Sequence, residues 1–210
     1  MSALPFVVGI SGASGAPYAQ RLLRCLNERN IPVHLLVTGA GRQVIKEELD
    51  IDLGNSPADL HAGLKRFIAA DYDKNVKLHA LDDWNSPLAS GSFRTNAMVV
   101  IPCSVHSLSA IANGHASNLL ERRADIMLKD RKKLIIVFRE MPLNAIHLEH
   151  LLKLSNMGAH IFPAMPGFYH HPKTIDDMID FVVGRVLDTL DIPNALYRRW
   201  GEHERTLARD

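Results

Sequence analysis

The chain has 210 residues and a formal net charge of +1 at pH 7, from 24 basic and 23 acidic side chains. It is long enough to bury one substantial core, and the balanced charge excludes the basic surface that binds nucleic acid or anionic membranes. The two cysteines are too few for a disulfide framework or a zinc cluster. The sequence has no apolar run near the roughly 20 residues of a spanning helix and no charged leader at the N-terminus. Together these features favour a reducing cytoplasmic compartment.

Apolar runs and helical patterns alternate along the chain. Strands are predicted, in chain order, at Phe6–Ile10, Val33–Val37, Val76–His79, 97–101, Lys133–Phe138 and His160–Pro163. Helices are predicted after Pro17, around 44–49, from 56 to about 70, after the fourth strand, at Leu119–Lys129, after the fifth strand and at about 175–190. Turn-forming residues make 82–93 a loop.

Continuous Val- and Ile-rich strands separated by helices are typical of a parallel sheet covered on both faces. The sequence therefore predicts a single doubly wound α/β domain over residues 1–210, of the Rossmann or flavodoxin-like kind, with a loose polar tail from about 201 to 210. In such sheets ligands bind beyond the carboxyl ends of the strands, so the residues that follow each strand are the candidates for a site.

The first candidate is the glycine-rich turn in "GISGASGAPYAQRLL", residues 9–23. A strand, a glycine turn and a helix start present free backbone N–H groups to a phosphate. The spacing of the glycines fits neither the dinucleotide motif nor an ATP-binding loop. Thr38 stands where a dinucleotide site needs an acidic residue, which favours a phosphate or a flavin. A turn that only joins strand to helix remains the alternative.

The second candidate is "VVIPCSVHSLSAI", where Ser104, Ser107 and Ser109 cluster at a helix start after a buried strand. Hydroxyls and first-turn N–H groups would converge there on an anion, although N-capping by Ser104 alone also explains one of the serines. Cys103 has no histidine placed by sequence to activate it and is interpreted as a small buried residue.

The third candidate is "VFRE", where Arg139 and Glu140 end the fifth strand. Arginine binds phosphate or carbonyl oxygens in a bidentate manner, and glutamate can move a proton. The alternative is an ion pair between Arg139 and Glu140 on the surface. Adjacent residues of a strand point to opposite faces, which makes such a pair less favourable. Downstream, Tyr169 in "PGFYHHP" and Arg185 can hold a second anion.

Two further patterns are interpreted conservatively. His147 and His150 lie one helical turn apart, but most such pairs hold no metal and a third ligand is not evident. The basic stretch 121–133 is interpreted as a solvated helix face from which Arg122 or Lys129 can reach an anion site.

Taken together, the chain resembles the flavin prenyltransferases of the UbiX type. The segments that carry the resemblance span nearly the whole chain in the family's order: "GISGASGAPYAQRLL", "ASGSF", "VIPCSVHSLSAIANG", "NLLERRADIMLKDR", "FREMPLNAIHLEHLLKLSNMGA", "PAMPGFYHHP" and "VVGRVLD". A related family, the cysteine decarboxylases of peptidyl or pantothenoyl substrates, shares the early loops but is not expected to combine the Arg-Glu strand end with the later Tyr and Arg.

The resemblance implies that reduced FMN is alkylated by dimethylallyl monophosphate, first at N5 and then at C6, without a metal. It places FMN on Gly12, Ala13, Ser14, Thr38, Ser104, Val105, His106, Ser107 and Arg139. It places the prenyl phosphate on Tyr169 and Arg185, with Arg122, Lys129 and Glu48 around it, some of them from neighbouring subunits. The implied assembly is a homododecamer, and the product passes to a UbiD-type decarboxylase in quinone synthesis or aromatic-acid breakdown.

The residue types suit this chemistry. Cationic side chains at 122, 129 and 185 can stabilise a leaving phosphate. An aromatic ring, Trp200 or Trp84, can shelter the allylic cation, and Glu140 with Ser14 is the predicted pair for proton transfer. An FMN-dependent decarboxylase of a small or cysteine-containing acid and a non-catalytic flavin carrier are the rival interpretations.

Overall fold

The computed structural model describes residues 4–54 and 56–201. The chain divides into two compact units, Met1–Ala164 and Met165–Asp210. The first unit holds six strands, which are β1 Phe6–Ile10, β2 Val33–Val37, β3 Val76–His79, β4 Ala97–Cys103, β5 Lys133–Phe138 and β6 His160–Pro163. Its helices are α1 Ala16–Glu28, α2 Gly39–Leu49, α3 Pro57–Phe67, α4 Val105–Ala112, α5 Leu119–Lys129 and α6 Ala145–Asn156.

The six strands form one parallel sheet in the order β3-β2-β1-β4-β5-β6. This is the doubly wound α/β architecture that the sequence predicts. The strand order reverses between β1 and β4, where Val8 pairs with Leu35 on one side and with Val99 on the other. A crevice opens at such a reversal beyond the carboxyl ends of the strands.

Burial on both faces explains the apolar strands. Every residue of β1 and β4 is buried, and the core between the sheet and its helices includes Met98, Leu120, Leu134 and Leu154. Strands that are buried on both faces carry apolar residues at successive positions instead of alternating apolar and polar ones, so their composition is enough to identify them.

Several helix bounds differ from the sequence prediction. Helix α2 begins at Gly39 because the Thr38 hydroxyl accepts a hydrogen bond from the Gly41 N–H at 2.9 Å and caps it. Helix α3 ends at Phe67, three residues early, and β4 continues two residues further than expected, to Cys103. The loop 82–93 contains one 3₁₀ turn, Pro87–Ala89.

The second unit contains helix α7, Ile175–Thr189, preceded by the loop from residue 165 and followed by an irregular segment to residue 201. The Thr174 hydroxyl caps α7 by accepting the Asp177 N–H, and the Asp177 carboxylate accepts the Thr174 N–H in return. The predicted loose tail lies outside the described residues, apart from Gly201. Among the helices that the structure describes, none has the length and hydropathy to cross a membrane.

Candidate functional site at the strand reversal

A cavity of about 530 Å³ lies in the first unit at the carboxyl ends of β1, β2, β4 and β5. Its walls include most of the residues that the sequence predicts for a cofactor, namely Gly12, Ala13, Thr38, Ser104, Val105, His106, Ser107 and Arg139, together with Glu140. The volume is in the range of small-molecule sites in proteins. The structure therefore brings together in one site residues that are up to 128 positions apart in the chain.

Two capped helix starts face this cavity. Thr38 caps α2, and the Ser104 hydroxyl caps α4 by accepting the Ser107 N–H at 3.3 Å. The first-turn N–H groups of a helix have no partner within the helix and carry partial positive charge. The starts of α2 and α4 therefore provide the cavity with donors suited to a phosphate, and the capping role of Ser104 is compatible with such a site.

Ser11 is a buried residue directly before Gly12 and Ala13, which line the cavity. Its hydroxyl donates to the Pro102 carbonyl at 3.0 Å and accepts the Ser104 N–H at 2.8 Å. These contacts join the end of β1 to the end of β4 across the reversal. Sequence analysis placed Ser11 at a strand end but gave no reason to single it out.

Glu48, predicted to lie near the prenyl phosphate, contacts the glycine-rich turn instead of lining the cavity. Its carboxylate accepts the Gly15 N–H at 3.1 and 3.0 Å and the Ala16 N–H at 2.8 Å. Helix α1 has no side-chain cap at Gly15 and no acidic residue in its first turn, so Glu48 supplies the negative charge there. The expectation that these N–H groups are free for a phosphate is therefore wrong at residues 15 and 16.

Arg139 and Glu140 follow β5 rather than ending it, since the strand stops at Phe138. Both line the cavity, so the strand-alternation argument that set them on opposite faces does not apply. Arg139 Nε donates to the Ser14 carbonyl at 3.4 Å, and a Glu140 oxygen accepts the Met141 N–H at 3.0 Å. Ser14 itself is exposed and lies next to the cavity wall rather than in it.

Arg122 and Lys129 lie on α5 away from the cavity walls. Arg122 Nε donates to the Ala89 carbonyl at 3.2 Å, and a Cβ on Gly91 would lie 3.0 Å from Lys129 Nζ. Each cation also pairs with a carboxylate: Arg122 with Asp125 at 2.9 Å and Lys129 with Asp130 at 2.6 Å. The two predicted phosphate ligands are thus grouped with the "ASG" loop.

The interpretation of 121–133 as a solvated helix face is wrong for most of α5, whose residues are largely buried. Arg123 is among the largest fully buried side chains and donates to the carbonyls of Ser90 and Phe93 and to the Thr95 hydroxyl. The basic sequence did not indicate the burial of Arg123, because a guanidinium can be buried when backbone carbonyls accept its hydrogen bonds.

The cavity also contains residues that sequence analysis missed: Gly39, Ala40, Leu81, Asn118 and Glu121. Glu121 is buried, and its carboxylate accepts the Ser117 N–H at 2.9 Å and the Asn118 amide at 2.8 Å. An N-x-x-E pattern before an apolar helix was the available signal, since it marks a helix start.

Cys103 is buried, as predicted, and burial raises the pKa of its thiol well above the usual range. A thiol so perturbed is a poor nucleophile. His147 belongs to the capping box of α6, accepting the Asn144 N–H, and His150 Nε2 lies 3.2 Å from the Asn113 amide. Within residues 4–54 and 56–201, no group of three His, Cys, Asp or Glu side chains is arranged around a common metal position.

In the second unit, Tyr169 is surrounded by aromatic rings. The edge of its ring meets Phe181 at 5.7 Å and Trp200 at 5.3 Å between centroids, and Trp200 is 81% exposed. Arg185 is exposed on α7. The pKa of its guanidinium is raised, chiefly by the Tyr197 phenol and to a smaller extent by the Tyr169 phenol. Tyr169, Arg185 and Trp200 all lie in this unit, and the rings of Tyr169 and Trp200 are in contact. Trp84, the alternative aromatic residue, is half-exposed in the first unit.

The fold and the cavity define a flavoprotein: a family model described as Flavoprotein matches residues 1–187. The flavin prenyltransferase UbiX of Halalkalibacterium halodurans is 52% identical over 197 residues, which are 94% of this chain and 93% of that protein. The chain belongs to the flavoprotein family and, within it, to the UbiX-type flavin prenyltransferases.

Two solved structures are similar over nearly the whole chain. AnUbiX (PadA1), crystallised with FMN and dimethylallyl pyrophosphate, has a TM-score of 0.82 and 36% identity, covering 95% of this chain and 98% of that one. A dodecameric FMN-dependent UbiX-like decarboxylase from Escherichia coli O157:H7 has a TM-score of 0.80 and 39% identity, covering 94% and 99%.

Proposed function

We propose that this protein transfers the dimethylallyl group of dimethylallyl monophosphate to reduced FMN. The observation that carries the proposal is the cavity at the strand reversal, where two capped helix starts face Arg139 and Glu140. Reduced FMN, when bound, supplies the two atoms that take up the dimethylallyl group, first N5 and then C6. The identity of 52% to a flavin prenyltransferase favours this activity over the decarboxylase alternative.

The volume of the cavity and its hydrogen-bond donors suit FMN. Donors at the starts of α2 and α4 suit the phosphate, and the serine hydroxyls at 104 and 107 add to them. A Cβ on Gly12 would overlap the Ala40 side chain, so glycine lets the turn pack directly against the start of α2 beside the cavity. We assign Gly12, Ala13, Ser14, Thr38, residues 104–107 and Arg139 to this cofactor.

Loss of phosphate from an allylic carbon sends the bonding electron pair to the leaving group, which cations must stabilise. We assign Tyr169 and Arg185 to that phosphate, and Arg122 and Lys129 to the same phosphate from a neighbouring copy of the chain. Their location beside the "ASG" loop, outside the cavity of their own copy, supports a contribution between copies. Trp200 is assigned to shelter the allylic cation.

Proton removal and return at the reacting atoms are assigned to Glu140, which lines the cavity, together with Ser14, whose carbonyl accepts a hydrogen bond from the neighbouring Arg139. Glu48 acts on the same turn through the N–H groups of Gly15 and Ala16.

An exposed apolar surface supports assembly of several copies. Residues 141–157, which include α6, expose Met141, Leu143, Ile146, Leu148, Leu152 and Met157, and within α6 itself only Leu154 is buried. A monomer rarely leaves so many large apolar side chains in water. With the dodecameric relative, this α6 apolar surface supports a homododecamer. We further propose a cytoplasmic location, one domain over 1–210 and a UbiD-type decarboxylase as recipient of the product.

The test is incubation of the purified protein with reduced FMN and dimethylallyl monophosphate, followed by mass spectrometry of the released flavin. The proposal expects a mass gain of one dimethylallyl group. Glu140→Gln should keep FMN bound but stall the product. FMN binding without any mass gain would favour a flavin carrier, and release of CO₂ from a peptide ending in cysteine would favour the decarboxylase.

A further inference from the structure

The chain from 191 to 201 forms neither helix nor strand, yet one carboxylate ties it to α7. Asp188, near the end of α7, accepts hydrogen bonds from the Asn194 amide at 2.9 Å, the Tyr197 phenol at 2.7 Å and two Arg199 N–H groups at 3.0 and 2.7 Å. The pair with Arg199 is bidentate, with one guanidinium nitrogen on each carboxylate oxygen, which is a strong and directional arrangement. Asp188 thus fixes a stretch of chain, and residues 194–200 are called the anchored segment below.

The anchored segment also packs on α7. The Tyr197 ring lies against Gly184, where a Cβ would come within 2.6 Å of Tyr197 Cδ1, and Tyr197 is only 8% exposed. The Phe181 ring meets Tyr197 at 5.1 Å and Tyr169 at 5.7 Å between centroids. One ring of α7 therefore contacts both the anchored segment and Tyr169.

Trp200 follows the anchored arginine directly and lies against Tyr169. Their rings meet edge to face, with 5.3 Å between centroids and 78° between the planes. On the other side of Arg199, the Arg198 guanidinium donates to the Tyr169 carbonyl at 3.0 Å. Since Trp200 is 81% exposed, few atoms pack around its ring, and its position depends on the backbone that carries it.

We propose that Asp188 is a positioning residue that, by holding Arg199, keeps the Trp200 ring beside Tyr169, where the allylic cation develops as the phosphate leaves. The proposal rests on the proposed function for the roles of Tyr169 and Trp200. Without the anchor, an exposed irregular segment takes many conformations, and ordering it when the substrate binds costs conformational entropy. With the anchor, the aromatic face is in place before the cation forms.

The test is Asp188→Asn, which keeps the size of the side chain and removes the charge that pairs with Arg199. We expect the rate of prenyl transfer in a single turnover at saturating dimethylallyl monophosphate to fall about tenfold, or about 1.4 kcal/mol. The FMN dissociation constant should stay unchanged. The matched control is Asp176→Asn, the same change at an exposed carboxylate in the first turn of α7, which should keep the wild-type rate.

A second variant covers the case in which Asp188→Asn does not fold. Arg199→Gln removes the same ion pair at a side chain that is 43% exposed, and it should slow prenyl transfer to a similar extent. A merely structural contact would lower the Tm of these variants and leave the rate of prenyl transfer at the wild-type value, which would overturn the proposal.

A double-mutant cycle tests whether Asp188 acts through Trp200. In the Trp200→Ala background, Asp188→Asn should add nothing to the loss of rate. Independent, additive losses would show that Asp188 acts by another route and would contradict the proposal.

Trypsin cleavage of the FMN-loaded protein separates this proposal from the proposed function. Cuts after Arg198 or Arg199 require the anchored segment to open, and mass spectrometry identifies them. They should become about tenfold faster in Asp188→Asn and stay at the wild-type rate in Asp176→Asn. If cleavage accelerates but the wild type transfers no prenyl group, the proposed function is wrong and the anchor stands. If these cuts are equally fast in the wild type and Asp188→Asn, Asp188 does not hold the segment.

Discussion

The contact of Glu48 with the first turn of α1 makes a quantitative prediction for Glu48→Gln and Glu48→Ala. Glutamine keeps one acceptor oxygen but loses the charge, whereas alanine leaves the Gly15 and Ala16 N–H groups without their partner. A hydrogen bond to a charged group contributes about 1.5–3 kcal/mol, and a charge at a helix start about 0.3–1 kcal/mol.

Glu48 is exposed, so water replaces part of the lost interaction and the low end of these ranges applies. We expect losses of about 1 kcal/mol for glutamine and about 2 kcal/mol for alanine. In a chain of this size these correspond to decreases in Tm of roughly 3 and 6 °C. Differential scanning calorimetry of the FMN-loaded protein measures both, with Glu47→Gln on the same helix as the control.

The alanine variant also opens the start of α1 to an external anion. Added inorganic phosphate should therefore raise the Tm of Glu48→Ala more than that of the wild type. If the alanine variant is as stable as Glu47→Gln, or if phosphate stabilises the variant and the wild type equally, the capping role of Glu48 is wrong.

Three further predictions concern stability, assembly and binding. The free energy of unfolding should fall by about 1–2 kcal/mol between pH 7 and 5. Burial, and then the neighbouring His79, lower the pKa of His34 from 6.5 to about 4 in the folded protein. As the pH falls, the unfolded chain therefore binds a proton at His34 before the folded protein does, which favours unfolding. Urea unfolding should show a smaller pH dependence in His34→Gln, and an equal dependence would contradict this account. Leu152→Glu places a charge on a side chain that is 62% exposed on the α6 apolar surface, and light scattering should show smaller assemblies. An unchanged mass of the assembly would show that the α6 apolar surface is not a contact between copies. Gly12→Ala should weaken FMN binding at least tenfold in a fluorescence titration, because the added methyl overlaps Ala40; full affinity would show that this backbone can shift.

The strands were predictable because burial on both faces requires continuous apolar runs, and such runs are visible in one sequence. Four of the five strands after β1 begin and end where the pattern indicates, and the exception is β4, which continues through Pro102 to Cys103. The start of α2 was missed because Gly39-Ala40-Gly41 has the composition of a turn. The Thr38 cap nevertheless starts a helix at Gly39, and that hydrogen bond depends on backbone geometry that the composition does not show.

Contacts between distant residues explain most of what the sequence left out at the site. Glu48 lies 33 positions from Gly15, and no local pattern connects a carboxylate in α2 with the start of α1. Burial of Arg123 depends on carbonyls about 30 positions earlier, so its charge alone suggested a solvated face. Strand ends, by contrast, converge by topology, which is why most of the cavity residues could be named in advance.

The Ser11 contacts have a consequence for how the cavity selects its ligand. A buried hydroxyl that bonds both Pro102 and Ser104 sets a constant separation between the ends of β1 and β4. These strand ends, from which Gly12 and Ser104 enter the cavity wall, are thus preorganised before a ligand binds. A change in that separation would break one buried and one partly buried hydrogen bond, so a ligand too wide for the cavity cannot be admitted cheaply by spreading these two strand ends.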